Sequence, residues 1–211
     1  MERNLQFRIA KTEQELWEVF HLRYLGYLDS SYLDPTYFPD KIEKDKWDDI
    51  AINFLAQDLD TKKYLGCVRL IPDSKRGLPI EERINIDDFR SPEKKIWEHS
   101  RWVSWPKGQP DVNWGLFKAT VQYSWMQGVT HWIGLGICEM KRFYESRGFY
   151  QLEPYREIEF LAEEGYKPNK RFFCTIFDFN LIYNSNPEDL PFKPHPNVFK
   201  ALKPDYKIKL D

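Results

Sequence analysis

Residues 130–149 read THWIGLGICEMKRFYESRGF, and this stretch decides the architecture. Thr130 to Ile137 is apolar, with β-branched residues and glycines at alternate positions, which predicts a buried strand. Glu139 to Arg147 carries good helix formers and stops at Gly148, a C-terminal helix signal. Phe149 then opens another strand. Upstream, Asn113 is expected to cap a helix that runs to about Met126 and closes at Gly128. Ile96 to Ser104 predicts a long strand. Ala51 to Asp58 and Tyr64 to Ile71 predict a hairpin. Thr12 followed by Glu15 is a capping box for a helix from Glu13 to about Leu28, preceded by a short strand at Gln6 to Ala10. Downstream, Arg171 to Ile182 predicts a last strand. Strands interrupted by three helices imply an α+β layered fold with one mixed sheet. One domain is expected over residues 1–183, with a Pro-rich tail over 184–211 that packs on the surface or frays.

The totals narrow the function. The 211 residues suffice for one well-buried core. A net charge of −2 argues against a nucleic-acid partner, and no run of 18 apolar residues argues for stable membrane insertion. Cys67, Cys138 and Cys174 are far apart and form neither a metal-binding spacing nor a disulfide framework, so no metal site and a cytoplasmic location are expected. Aromatic residues reach 17 %, which fits either a ring-filled core or an apolar ligand pocket.

Several charged residues sit where apolar ones are the rule. Glu98 and Arg101 lie inside the strand WEHSRWV, three apart, and a regular strand would send them to opposite faces. A β-bulge between them would turn both into one cleft. Arg69, inside YLGCVRLI, needs an acid partner, and Asp45, Asp48 and Glu98 are the candidates. Asp45 and Asp48 in KDKWDD form an electrostatic trap for a cationic amine. Arg23 borders the apolar stripe of the first helix. Tyr144 is placed to give a proton to a leaving thiolate.

Taken together these pieces resemble a known pattern. THWIGLGICEMKRFYESRGF is similar to the strand–helix–strand unit of GNAT acyltransferases. Arg23, Asp45-Lys-Trp-Asp48, Arg69 in GCVRLI and Glu98-His-Ser100-Arg101 follow, in order and spacing, the pattern of acyl-homoserine-lactone (autoinducer) synthases and long-chain N-acyl amino acid synthases. LRYLGYL and LPIE look more like the second group. The resemblance covers roughly residues 15 to 155. It implies a mostly antiparallel sheet with a splayed central strand, and transfer of a fatty acyl group from a carrier thioester to the amine of a small amino-acid-like acceptor.

The implied roles are as follows. Glu98 is the base, through a water, and Tyr144 the acid. Asp45 and Asp48 hold the amine, while Arg23, Arg69 and Arg101 organise the site or grip a carboxylate. Backbone N–H groups near Val103 and Ser104 receive the oxyanion. The chain of the acyl group lies against Trp102, Phe117 and Trp125. The basic residues Lys141, Arg142 and Arg147 face a carrier protein or simply solvent. No permanently bound cofactor is implied, and acyl carrier protein or acyl-CoA is the cosubstrate. The loop WPKGQPDVNWG departs from the glycine-rich pyrophosphate loop of GNAT acetyltransferases, which favours acyl carrier protein. An acetyl-CoA-dependent acetyltransferase and a non-catalytic ligand-binding protein are the alternatives.

Overall fold

The computed structural model describes residues 3–152, 158–159, 165–167, 171–186, 188–190 and 193–202. The strands are β1 (Leu5–Ile9), β2 (Ile52–Asp58), β3 (Tyr64–Pro72), β4 (Ile96–Ser104), β5 (His131–Ile137), β6 (Tyr150–Gln151), β7 (Ile158–Glu159) and β8 (Arg171–Asp178). They form one sheet in the order β1-β2-β3-β4-β5-β8-β6, with β7 also on β8. Every pair is antiparallel except β4 with β5. The helices are α1 (Glu13–Asp29), α2 (Pro110–Met126), α3 (Lys141–Glu145), α4 (Phe179–Asn184) and α5 (Pro196–Ala201).

α1 covers one face of the sheet. Its capping box is formed as expected, with Thr12 accepting from the Glu15 N–H. Val19, Phe20 and Leu22 pack on Leu55, Cys67 and Val103. Gly26 permits this closeness, because a Cβ there would lie 2.3 Å from a Val103 methyl carbon. α2 covers the other face, where Leu116, Phe117 and Val121 pack on Phe54, Val68 and Trp132. The period-2 alternation of β2 and β3 sends Leu55 and Cys67 to α1, and Phe54, Ala56 and Val68 to α2.

Several elements differ from expectation, among them α3, which spans only Lys141–Glu145 of the expected Glu139 to Arg147. α2 starts at Pro110 rather than after Asn113; proline is favoured in the first turn, where its missing N–H costs nothing. β8 stops at Asp178, whose carboxylate accepts from the Leu181 N–H and caps α4. Within the expected tail, α5 buries Val198 and Ala201 in the α2-side core. Residues 203–211 of that tail lie outside the described residues.

Candidate active site

The central strand is interrupted twice. Between Cys67–Val103 and Arg69–Ser100 the register slips, so β4 carries one residue more than β3. The bulge falls at Arg101 and Trp102, slightly later than the sequence spacing suggests. Arg101 takes the left-handed conformation, with φ +56°, a position that normally favours glycine. Its ion pairs hold it there. The extra residue places Arg101 on the same face as Glu98 and Arg69. Next, β4 and β5 part. They pair only through Ile96, Trp97 and Glu98 against His131, Trp132 and Ile133, although β4 runs on to Ser104 and β5 to Ile137. Gly134 stands where they part, and a Cβ there would lie 2.3 Å from the His99 carbonyl oxygen.

Under α1 the predicted arginines and acids meet. Arg23, fully buried on α1, donates to both Asp48 oxygens at 2.8 and 3.0 Å and to the Asn53 side-chain amide oxygen. Arg69 pairs with Asp45 at 2.7 Å and Asp48 at 3.3 Å, and donates to the Ser100 hydroxyl at 3.2 Å. Arg101 reaches Asp45 at 2.8 Å, Glu43 at 2.9 Å and the Tyr166 hydroxyl at 3.0 Å. Tyr166 donates in turn to Glu43. The three-residue spacing of Asp45 and Asp48 has a local cause. The Trp47 N–H donates to the Asp45 carboxylate and the Asp45 N–H to that of Asp48, folding the segment into a tight turn anchored by buried Trp47. Nearby guanidinium groups hold both carboxyls below the usual carboxylate range despite burial.

Three arginines thus face three carboxylates, and the cluster is neutral. Asp48 is fully enclosed, with its side chain 0 % exposed, so it cannot touch an incoming amine; its geometry is that of an organiser. Asp45 retains 26 % exposure and stands at the edge. Glu98 lies beside the neutral cluster. It is buried, accepts from the Ile80 N–H at 2.7 Å, and burial pushes its carboxyl up to about 7 although Arg69 opposes the shift.

Glu43, Asn53 and Tyr166 were missed by sequence reasoning. Glu43 stands two residues before Asp45 and could have been grouped with it; Tyr166 carries no such signal. It arrives because Leu33 and Tyr166 form a β-bridge, with the Asp34 N–H on the Gly165 carbonyl and the Lys167 N–H on that of Tyr32.

The remaining expected residues divide. Trp102 and Phe117 stack at 6.0 Å, nearly parallel, on the α2 face. Trp125 stands apart, about 12 Å further along the helix axis, stacked on Tyr183 and partly exposed. Tyr144 packs on Phe149 and Phe173, and burial raises its phenol well above the ordinary value. Lys141 and Arg142 are exposed, whereas Arg147 is buried, so they form no single basic surface. The Trp105 N–H donates to Leu65 O. Ladder alternation then turns the Val103 N–H toward β3 and the Ser104 N–H toward the opening. Among the described residues, no group of His, Cys, Asp and Glu is placed to hold a metal ion.

The model of the N-acyl amino acid synthase FeeM matches residues 18–166. The chain belongs to the FeeM family. FeeM from uncultured soil microbes superposes with a TM-score of 0.65 at 16 % identity, over 84 % of this chain and 92 % of that one. The acyl-homoserine-lactone synthase LasI gives 0.60 at 16 % identity, over 84 % and 91 %. The CoA-dependent acyl-homoserine-lactone synthase BjaI, with MTA, gives 0.57 at 18 % identity, over 95 % and 88 %. The search of curated proteins finds no match. This FeeM-family member has the GNAT fold and is an acyltransferase acting on an amine.

Proposed function

We propose that the protein moves a fatty acyl group from acyl carrier protein to the amine of a small amino-acid-like acceptor, at the opening between β4 and β5. The observation that carries this reading is Glu98, a buried carboxylate whose pKa is pushed up to about 7, at the last residue of β4 that pairs with β5. A base poised there is half-ionised at neutral pH and suited to take a proton from an ammonium or an attacking amine. The amine nitrogen attacks the thioester carbon, the C–N bond forms and the C–S bond breaks. The amine's proton goes to Glu98, and sulfur leaves as thiolate. The Ser104 N–H is directed at the opening and would receive the oxyanion.

Tyr144 acts as a hydrogen-bond donor to the departing sulfur. An ordinary phenol already holds its proton more tightly than a thiol, by about 1.5 pKa units, and burial strengthens that hold here. Full proton transfer from Tyr144 is therefore uphill. Asp45 and Arg101, at the solvent edge of the cluster, are the groups that meet the acceptor's ammonium and carboxylate. Arg23, Arg69 and Asp48 hold them in place. Exposed Lys141 and Arg142 suit an acidic carrier protein. No described helix is long and apolar enough to cross a membrane. With its three free cysteines, this supports action in the cytoplasm.

The test is incubation with acyl-carrier and acyl-CoA thioesters and a panel of amino acids and amines, with amide products read by mass spectrometry. Amide formation that depends on Glu98 supports the reading. Undiminished turnover by Glu98→Gln removes Glu98 from the mechanism, and no product across the panel overturns the activity.

A further inference from the structure

Residues 73–95 join β3 to β4, a longer connection than most, with short 3-10 turns at Pro79–Glu82 and Asp87–Phe89. Leu78, Ile80 and Ile86 are buried with Ile71, Ile96 and Ile133. The first turn follows from the sequence Leu-Pro-Ile-Glu. Pro79 opens it and has no N–H to give. The Glu81 N–H bonds to the Leu78 carbonyl at 3.0 Å. The Ile80 N–H, between the two, is an orphan donor of the turn's start and reaches the Glu98 carboxylate at 2.7 Å.

That donor acts on the base proposed above. From β3 Glu98 faces Arg69, and from its own strand the Ser100 hydroxyl and Arg101. From β8 it faces the Cys174 thiol, which burial pushes up to about 12 and so keeps neutral. β5 contributes Ile133. Asp45 and Asp48 are paired with the same arginines. Burial favours the protonated carboxyl, and the Ile80 N–H favours the ionised one.

The groups that aim this N–H lie away from the cleft. The Glu81 carboxylate turns back to accept from the Leu78 N–H at 2.7 Å and pairs with Arg90 at 2.6 Å. Gly77 makes room for it, with φ +78° and a hypothetical Cβ 2.8 Å from a Glu81 oxygen. Arg90 also pairs with Asp73, the first residue after β3. One guanidinium thus ties the turn to the end of the strand that carries Arg69. All three side chains are partly exposed, so the pairs add little to global stability. Their effect is geometric. Burial of Leu78 and Ile80 sets how deep the turn sits, whereas the clamp on Glu81 sets its rotation and hence the direction of the Ile80 N–H.

We propose that Arg90 is a positioning residue for acyl transfer: through Glu81 it holds the 79–82 turn so that the Ile80 N–H stays on the Glu98 carboxylate. The inference rests on Glu98 acting as the base.

The experiment reads Glu98 directly, by carbon-13 NMR of protein labelled at its glutamate carboxyls, with the signal assigned from its absence in Glu98→Gln. The pH dependence of kcat is measured on the same proteins. Loss of one hydrogen bond to the carboxylate should raise the Glu98 titration by about one pKa unit in Arg90→Met. At pH 7 kcat should then fall about fivefold, and recover almost fully by about pH 9. Arg90→Lys keeps a charge opposite Glu81 and should restore part of the wild-type titration. Glu81→Met removes the other half of the clamp and should match Arg90→Met. If Arg90→Met fails to fold, Glu81→Met and Arg90→Lys still decide. An unmoved Glu98 titration, or a loss of kcat equal at every pH, overturns the proposal. Absence of amide from the wild type counts against the acyl-transfer reading, while the carboxyl titration judges Arg90 independently.

Discussion

On the α1 face of β4, Arg23, Arg69 and Arg101 are met by Glu43, Asp45 and Asp48. On the α2 face, Arg147 is enclosed by Phe143, Trp114 and Trp102 and meets no acid among the described residues. The two faces share one strand and differ in who supplies the counter-charge. Where the chain supplies it, the result is a fixed scaffold that leaves Glu98 as the adjustable group. Where it does not, the cation is held by ring faces and by the Phe143 carbonyl and Ser146 hydroxyl.

The largest effect that would sharpen this contrast is catalytic. Glu98→Gln should lower kcat by about 10²–10⁴-fold, measured with any donor the wild type accepts, with little loss of Tm. In the wild type, kcat should rise with pH through about 7 as Glu98 ionises. Stability should run the other way. The Glu98 carboxyl holds its proton more tightly folded than unfolded, so its contribution is present below the ordinary glutamate pKa of 4.5 and lost as pH climbs to about 7. Asp45 and Asp48 have the opposite sign: their contribution is present above the ordinary aspartate value of 3.8 and disappears as pH falls below it. Denaturation across this range reads both.

Next come substitutions that break one face at a time. Asp48→Asn leaves Arg23 and Arg69 short of charge and should cost about 3–5 kcal/mol by urea unfolding at neutral pH. Phe117→Ala on the other face should cost about the same through its cavity. The two are separated by acid: the loss in Asp48→Asn should shrink as pH falls, and that in Phe117→Ala should not. A pH-independent Asp48→Asn penalty would contradict the ionic account. Gly134→Ala pushes a methyl into the His99 carbonyl and should cost about 1–3 kcal/mol. It should also shift the donor KM, since it acts where β4 and β5 diverge. Thr12→Ala, remote from both faces, should cost about 1 kcal/mol and leave kinetics unchanged.

Much of this was legible in the sequence. The capping box fixed the start of α1, and apolar runs bounded by turn residues located β2 to β5. Charges inside apolar strands marked Arg69, Glu98 and Arg101, because isolated charges are seldom buried. The spacing of Glu98 and Arg101 implied the bulge. What failed depends on distant contacts. Nothing local separates an enclosed Asp48 from a solvated one; Trp47 and α1 decide it. Trp125 was grouped with Phe117 as a ring on the same helix, yet it lies further along and stacks on Tyr183 of α4, whose residues 179–182 were read as the end of a strand. Arg147 looked like one more surface cation until the rings of Trp102 and Trp114 closed around it.

The bridge between Leu33 and Tyr166 has a consequence for biosynthesis. Arg101 is complete only when Tyr166 reaches it, and Tyr166 lies 65 positions later in the chain. A nascent polypeptide that has emerged as far as β5 already holds every ionic partner of Arg23 and Arg69 but still lacks the phenol joining Arg101 to Glu43. Competence therefore arrives late in translation, and products truncated before residue 166 lack both this phenol and β8, the strand that pairs with β5, so they should neither fold stably nor bind an acceptor.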